Sequence, residues 1–198
     1  MSKLICFFLF LSAPFLLQSA QLPPGFVEEQ IATGLDPTTL AIAPDGRVFI
    51  AEKDGRIRLV EDGSLLPDPF LSLPVDNYNE RGLSGLVLDP NFETNNFLYV
   101  FYSVEGSNYN RISRFTANGN AALPNSEEVL FELAPLAGTI HNGGAMVFGN
   151  DGKLYVAVGD GAYPQNGQAL STTLGKVLRL NPDGTIPEDN PFYDTLSG

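Results

Sequence analysis

The sequence predicts an all-β protein of the β-propeller class, with about three blades, and three observations carry that prediction. First, Ile42-Ala43-Pro44-Asp45-Gly46-Arg47-Val48-Phe49-Ile50-Ala51 and Phe148-Gly149-Asn150-Asp151-Gly152-Lys153-Leu154-Tyr155-Val156-Ala157 share a strand, Asp-Gly turn and strand plan at an offset of 106 residues. Second, another unit of the same kind lies about midway, so the repeat is about 50 residues, the length of a blade of four antiparallel strands. Third, 43% hydrophobic and 17% charged residues, with 20 Gly and 15 Pro, suit a packed, turn-rich β domain without long helices. A β-sandwich is the alternative, but it leaves the recurring plan unexplained.

Lys3, the apolar run Leu4 to Leu17 and the small residues of Gln18-Ser19-Ala20 make residues 1–20 a secretory signal peptide by pattern, with 21–198 as the propeller part. That run is short and interrupted by Pro14, so no membrane span is expected once the signal is removed. The single cysteine, Cys6, falls inside it. The mature chain is therefore expected to have no disulfide, no thiol nucleophile and no cysteine zinc site, which suits a bacterial periplasmic or secreted protein. A net charge of -12, becoming -13 when Lys3 is lost, argues against nucleic acid as a partner because phosphate backbones are repelled.

Beyond a Pro-containing lead, Val27 to Ile31 reads as a strand belonging to a closing blade. Blade one is Leu40–Ala43, a Pro-Asp-Gly turn, Val48–Ala51, a Lys-Asp-Gly turn and Ile57–Val60, with an outer strand starting at Pro69-Phe70-Leu71. Blade two opens at Gly82–Leu88, turns through Asp89-Pro90-Asn91-Phe92, returns along Phe97–Tyr102, and adds Arg111–Phe115 and Glu128–Leu133. Blade three is Ala145–Phe148, Leu154–Val158 and Lys176–Leu180. Propellers have about four to eight blades, so the sequence reads as the front portion of a longer chain, with an unclosed ring that is expected to be unstable alone. Asp45, Asp151 and Asp183 read as turn formers, and Arg111, Arg114, Lys176 and Arg179 as solvent-facing strand residues.

The chemistry concentrates around His141, the one histidine of the sequence. With the Gly149-Asn150-Asp151-Gly152 turn centred between Asn150 and Asp151, His141 and Asp160 are equidistant from the centre and face each other across the hairpin. A carboxylate opposite an imidazole can fix its tautomer and support it as a general base, whereas the plain alternative makes Asp160 a strand end and His141 a loop residue. Inner strands of successive blades start at the same face. Glu80, His141 and Asp160 are therefore expected at one mouth of the channel.

Three blocks carry a resemblance: Glu80-Arg81-Gly82-Leu83-Ser84-Gly85 with Asp89-Pro90-Asn91-Phe92; His141-Asn142-Gly143-Gly144 with Gly159-Asp160; and Gly175 through Pro187 with Asp189-Asn190-Pro191. They resemble the soluble quinoprotein glucose/sorbosone (aldose sugar) dehydrogenase family, which carries pyrroloquinoline quinone on a six-bladed propeller. The resemblance implies an oxidoreductase that converts the anomeric carbon of an aldose to a lactone by hydride transfer to the quinone. It implies His141 as general base, Asp160 as its orienting and stabilising partner, Glu80 as a substrate contact, and a separate electron acceptor that reoxidises the quinone. Calcium is expected as a second cofactor. The family's quinone-contacting residues and calcium ligands fall beyond residue 198, so no metal site is expected here, and these residues alone are expected to be inactive. Glu80 stands where the well-known glucose oxidisers have Gln; a carboxylate accepts a hydroxyl but cannot donate as an amide does, which points to altered specificity. The alternative function is a non-catalytic propeller that binds carbohydrate or protein.

Overall fold

The computed structural model describes residues 22–193 of the chain. The signal-peptide reading, Cys6 and the last five residues lie outside them. Residues 22–30 belong to a unit of their own, with a turn closed by the Phe26 N–H donating to Pro23 O. Contrary to expectation, Val27 to Ile31 is not a strand: no described segment offers it a ladder partner, and a strand needs one for its backbone groups.

From Ile31 onward the chain forms three antiparallel sheets, each a blade of a β-propeller. Sheet one runs β1 (Pro37–Ile42), β2 (Val48–Glu52) and β3 (Arg56–Glu61), with the short β4 (Ser64–Leu65) and β5 (Leu71–Ser72) both pairing with β3. The outer strand expected there is thus broken in two, because Pro67 and Pro69 lack the N–H that a continuous edge would donate. Sheet two is β6 (Leu83–Leu88), β7 (Phe97–Ser103), β8 (Asn110–Asn118) and β10 (Glu128–Glu132), with β9 (Ala121–Ala122) on β8. The one α-helical turn among the described residues, α1 (Phe92–Asn95), follows Asp89-Pro90 and ends on Asn96 at φ 57°. Sheet three is β11 (Gly143–Phe148), β12 (Leu154–Val158) and β13 (Lys176–Leu180).

Three of the Asp-Gly turns are built alike. In the first, Ala43 N–H donates to Arg47 O, Gly46 N–H to Ala43 O, and Arg47 N–H to the Asp45 carboxylate; Asp151 and Asp183 repeat the arrangement with Lys153 and Thr185. Each aspartate accepts the backbone N–H two residues on, so its role is in the turn. The Arg47 guanidinium holds the Asp45 carboxyl below the usual carboxylate range.

Packing follows the period of two along β7. Leu98, Val100 and Tyr102 face sheet one, meeting Phe49, Ile57, Leu59 and Phe70, while Tyr99 and Phe101 face sheet three with Leu154, Val156 and Val158. Both faces of the middle blade are buried, which is why Phe97-Leu98-Tyr99-Val100-Phe101-Tyr102 is an unbroken apolar run rather than an alternating one. Each such large side chain contributes about 1.5–3 kcal/mol by leaving water. Edge-to-face rings lock the stack, with Phe49 and Phe70 centroids 5.0 Å apart and Tyr99 and Phe148 5.1 Å apart. The buried Tyr99 hydroxyl donates to Asp89 Oδ2 at 2.9 Å, and burial together with that carboxylate pushes its pKa up.

The strand arginines depart from expectation. Arg111, Arg114 and Arg179 are not solvent-facing: their side chains retain only 17–20% exposure and each meets carboxylates, Arg111 with Glu132, Arg114 with Glu128, Arg179 with Asp151 and Asp189. Arg114 also lies over the Phe97 ring at 4.1 Å. Lys176 likewise turns its ammonium inward to Asn166 O and Leu174 O. Long stems cover apolar blade surface while the charged heads reach a partner, an option that strand alternation alone does not reveal.

Candidate functional site

The inner strands β1, β6 and β11 lie side by side. β6 and β11 approach so closely that a Cβ on Gly144, whose φ is 120°, would sit 2.4 Å from Ser84 Oγ. This approach brings the loop before β6 against the loop before β11. Asn79 Nδ2 donates to Thr139 Oγ1 at 3.0 Å, Arg81 donates to Gly138 O at 3.0 Å, and Arg81 also pairs with Asp76 at 2.6 Å. That arginine holds the Asp76 carboxyl below the usual carboxylate range.

This laced pair of loops carries Glu80 and His141, and the loop after β12 brings Asp160 to them. His141 Nδ1 is 2.8 Å from Asp160 Oδ1, and the His141 backbone N–H donates to Glu80 Oε2 at 2.7 Å. Asp160 Oδ1 also accepts the Ala162 N–H at 3.0 Å, while the Asp160 backbone oxygen accepts from Asn166 Nδ2 at 2.8 Å. Asp160 is thus held from both ends. The histidine side chain is 51% exposed and that of Asp160 25%, so the ring stands open to an incoming molecule while its partner is half sheltered. With Nδ1 committed to Asp160, Nε2 has no protein partner among the described residues.

The route to this pairing differs from the expected one. The hairpin turn is centred on Asp151, so Phe148 pairs with Leu154 and Val147 with Tyr155, one residue off the predicted register. An irregularity between Gly143 and Met146 restores the register, since Gly143 pairs with Val158 and Asn142 O accepts the Gly159 N–H. Two one-residue departures cancel. His141 itself lies outside the strand at φ 59°, a left-handed conformation uncommon for a non-glycine residue.

Sequence reasoning missed a buried polar chain under the site. Ser103 Oγ donates to Asn110 Oδ1 at 2.7 Å, Asn110 Nδ2 to Asn142 Oδ1 at 3.4 Å, and Asn142 Nδ2 to Thr139 O at 3.4 Å. Ser103, Asn110 and Asn142 are at most 4% exposed. The chain links the β7–β8 end of sheet two to the residue after His141. Asn142 belonged to a recognisable block, but Asn110, at a strand start, reads in sequence as a solvated loop residue. Replacing Asn110 with Ala leaves the Ser103 O–H without its acceptor and the Asn142 amide oxygen without its donor. We expect the full-length protein to lose about 2 kcal/mol in denaturant unfolding.

A groove of about 500 Å³ lies elsewhere, lined by Phe131 of sheet two, Val177 and Leu178 of sheet three, and Ile186. It contains none of Glu80, His141 and Asp160. No group of three or more His, Cys, Asp or Glu among the described residues is placed to hold a metal ion, and no described helix is long and apolar enough to cross a membrane.

Known proteins resemble the chain over most of its length. The family model described as Glucose / Sorbosone dehydrogenase matches residues 35–197. A Thermus thermophilus protein described as an oxidoreductase of the glucose dehydrogenase type superposes with a TM-score of 0.77 at 36% identity, covering 83% of this chain and 49% of that one. The pyrroloquinoline quinone-bound aldose sugar dehydrogenase of Streptomyces coelicolor gives 0.74 at 28% identity, covering 84% and 51%. Mouse hedgehog-interacting protein is 30% identical over 85% of this chain and 29% of its own. The chain spans between 29% and 44% of the length of the first curated relatives it matches.

Proposed function

This chain belongs to the glucose/sorbosone dehydrogenase family, and from that membership we propose that the protein is an exported quinoprotein that oxidises the anomeric carbon of an aldose to a lactone. The observation that carries the reading is the His141–Asp160 pair, with Nδ1 at 2.8 Å from the carboxylate and Nε2 left free. In this reading residues 1–20 direct export to the periplasm or beyond, and residues 21–198 form part of the propeller.

Pyrroloquinoline quinone, when bound, supplies the two-electron acceptor for the hydride that leaves the anomeric carbon. His141 Nε2 takes the anomeric hydroxyl proton as the C–H bond breaks and the carbonyl forms. Asp160 accepts a hydrogen bond from Nδ1–H, which leaves Nε2 as the unprotonated nitrogen before the reaction, and it stabilises the imidazolium after it. Glu80, with one carboxylate oxygen uncommitted, accepts a sugar hydroxyl. A separate electron acceptor reoxidises the cofactor and completes turnover.

The quinone bears three carboxylates and calls for cations. Around the loop before β6, however, Lys53 Nζ is engaged by Asn77 O and Arg81 by Asp76 and Gly138 O. None of the described residues is assigned to the quinone or to calcium. Both cofactors belong to the proposal through the family and the quinone-bound relative.

Likeness to hedgehog-interacting protein favours a second reading, a propeller of the same fold used for binding carbohydrate or protein. One experiment separates the two. The full-length apoprotein is titrated with pyrroloquinoline quinone, with and without calcium, while dye reduction is followed over a panel of aldoses. We expect sugar-dependent reduction only in the presence of the quinone. Absence of both quinone binding and dye reduction with every sugar would overturn the dehydrogenase reading in favour of the binding propeller.

A further inference from the structure

We propose that Glu80 is the positioning residue that holds His141 in its working conformation, one carboxylate oxygen gripping the histidine backbone while the other meets the sugar; the proposal rests on the reading of His141 as the base. Little else fixes that residue. Its side chain is 51% exposed, so packing does not immobilise it, and its backbone sits at φ 59°. Asp160 orients the ring but not the main chain. The main chain is held at two points: His141 O accepts the Gly161 N–H at 3.1 Å, and His141 N–H donates to Glu80 Oε2 at 2.7 Å. The second bond is charge-assisted and the shorter of the two, the stronger class of hydrogen bond.

Glu80 is well placed to bear that load. Its own N–H donates to Thr139 O at 3.3 Å, and its neighbours Asn79 and Arg81 bond to Thr139 and Gly138 on the loop that carries His141. The carboxylate therefore acts from a segment already tied to its target. Oε2 is committed, and Oε1 has no protein partner among the described residues. Substrate capture and base placement thus share a single side chain, so a sugar docked on Oε1 is docked in register with His141.

Three variants of the full-length, quinone-loaded protein test this. In Glu80→Gln the amide oxygen still accepts the His141 N–H, but the amide nitrogen can only donate to a sugar hydroxyl, where the carboxylate of this chain accepts one. KM is expected to rise about tenfold, with kcat reduced only a few-fold. Glu80→Ala loses both contacts and Glu80→Asp is one methylene too short to keep the grip, so in both kcat is expected to fall about 100-fold, the scale of a displacement near 1 Å. A kcat in Glu80→Ala no lower than in Glu80→Gln would overturn the proposal. The backbone amide of His141, observed by nitrogen-15 NMR in the apoprotein, is a readout independent of turnover. Its exchange is expected to accelerate about fivefold or more in Glu80→Ala and to stay near the parent value in Glu80→Gln. An unchanged amide in Glu80→Ala sinks the grip even if the protein is inactive, whereas an altered amide with no sugar oxidation by the parent overturns only the dehydrogenase reading.

Discussion

His141→Gln is expected to lower kcat of the quinone-loaded, full-length protein by about 10²–10⁴-fold, the range that a positioned general base supplies. The imidazole is the one group here with a free basic nitrogen aligned by a carboxylate, at 2.8 Å on its other side. A glutamine side chain can still donate to Asp160, yet its amide nitrogen carries no basic lone pair to take the sugar's proton. Because the ring is 51% exposed, little packing is lost, and unfolding of the variant should track that of the parent. Steady-state dye reduction over a range of sugar concentrations checks this. Loss of kcat without a shift in the thermal midpoint is the expected result. A variant that retains a tenth or more of parental kcat would remove His141 from the role of base.

The second large effect is expected from a residue with no chemistry of its own. A Cβ on Gly159 would lie 1.8 Å from His141 O and 2.4 Å from His141 C. The Gly159 N–H also donates to Asn142 O, and its carbonyl accepts the Gly175 N–H, so the peptide cannot swing away without breaking bonds on both sides. Gly159→Ala must therefore push the His141 segment outward, against the left-handed turn and the Glu80 contact. We expect a loss of about 3 kcal/mol of stability, at the upper end of overpacking costs, together with at least a 100-fold fall in kcat. Denaturant unfolding and dye reduction of the full-length protein measure the two effects. Parental stability with parental activity would mean that the two loops separate more easily than their bonding indicates.

What the sequence by itself determined is what acts over short range. The Asp-Gly turns are self-contained, each closed by hydrogen bonds among residues at most four apart, and so Asp45, Asp151 and Asp183 were legible as turn formers. The blade repeat and the apolar run of β7 were legible for the same reason: burial on two faces leaves its mark residue by residue. The facing of His141 and Asp160 was also readable, though by a register that the structure reaches through two compensating one-residue shifts. The bulge that supplies one of them depends on Gly143 and Gly144 meeting β6 and β12.

Only the tertiary structure decided the contacts that join blades. Glu80 lies 61 residues from His141 and Asn110 lies 32 from Asn142. Neither separation matches a strand or turn period, and both pairs meet only because the inner strands pack side by side. The half-buried arginines follow the same rule, since an alternating strand position shows on which face a side chain lies but not whether a neighbouring carboxylate waits there. Local hydrogen bonding and side-chain periodicity are written in adjacent residues; the grip on a base is written in the distance between two sheets, which no stretch of one sheet contains.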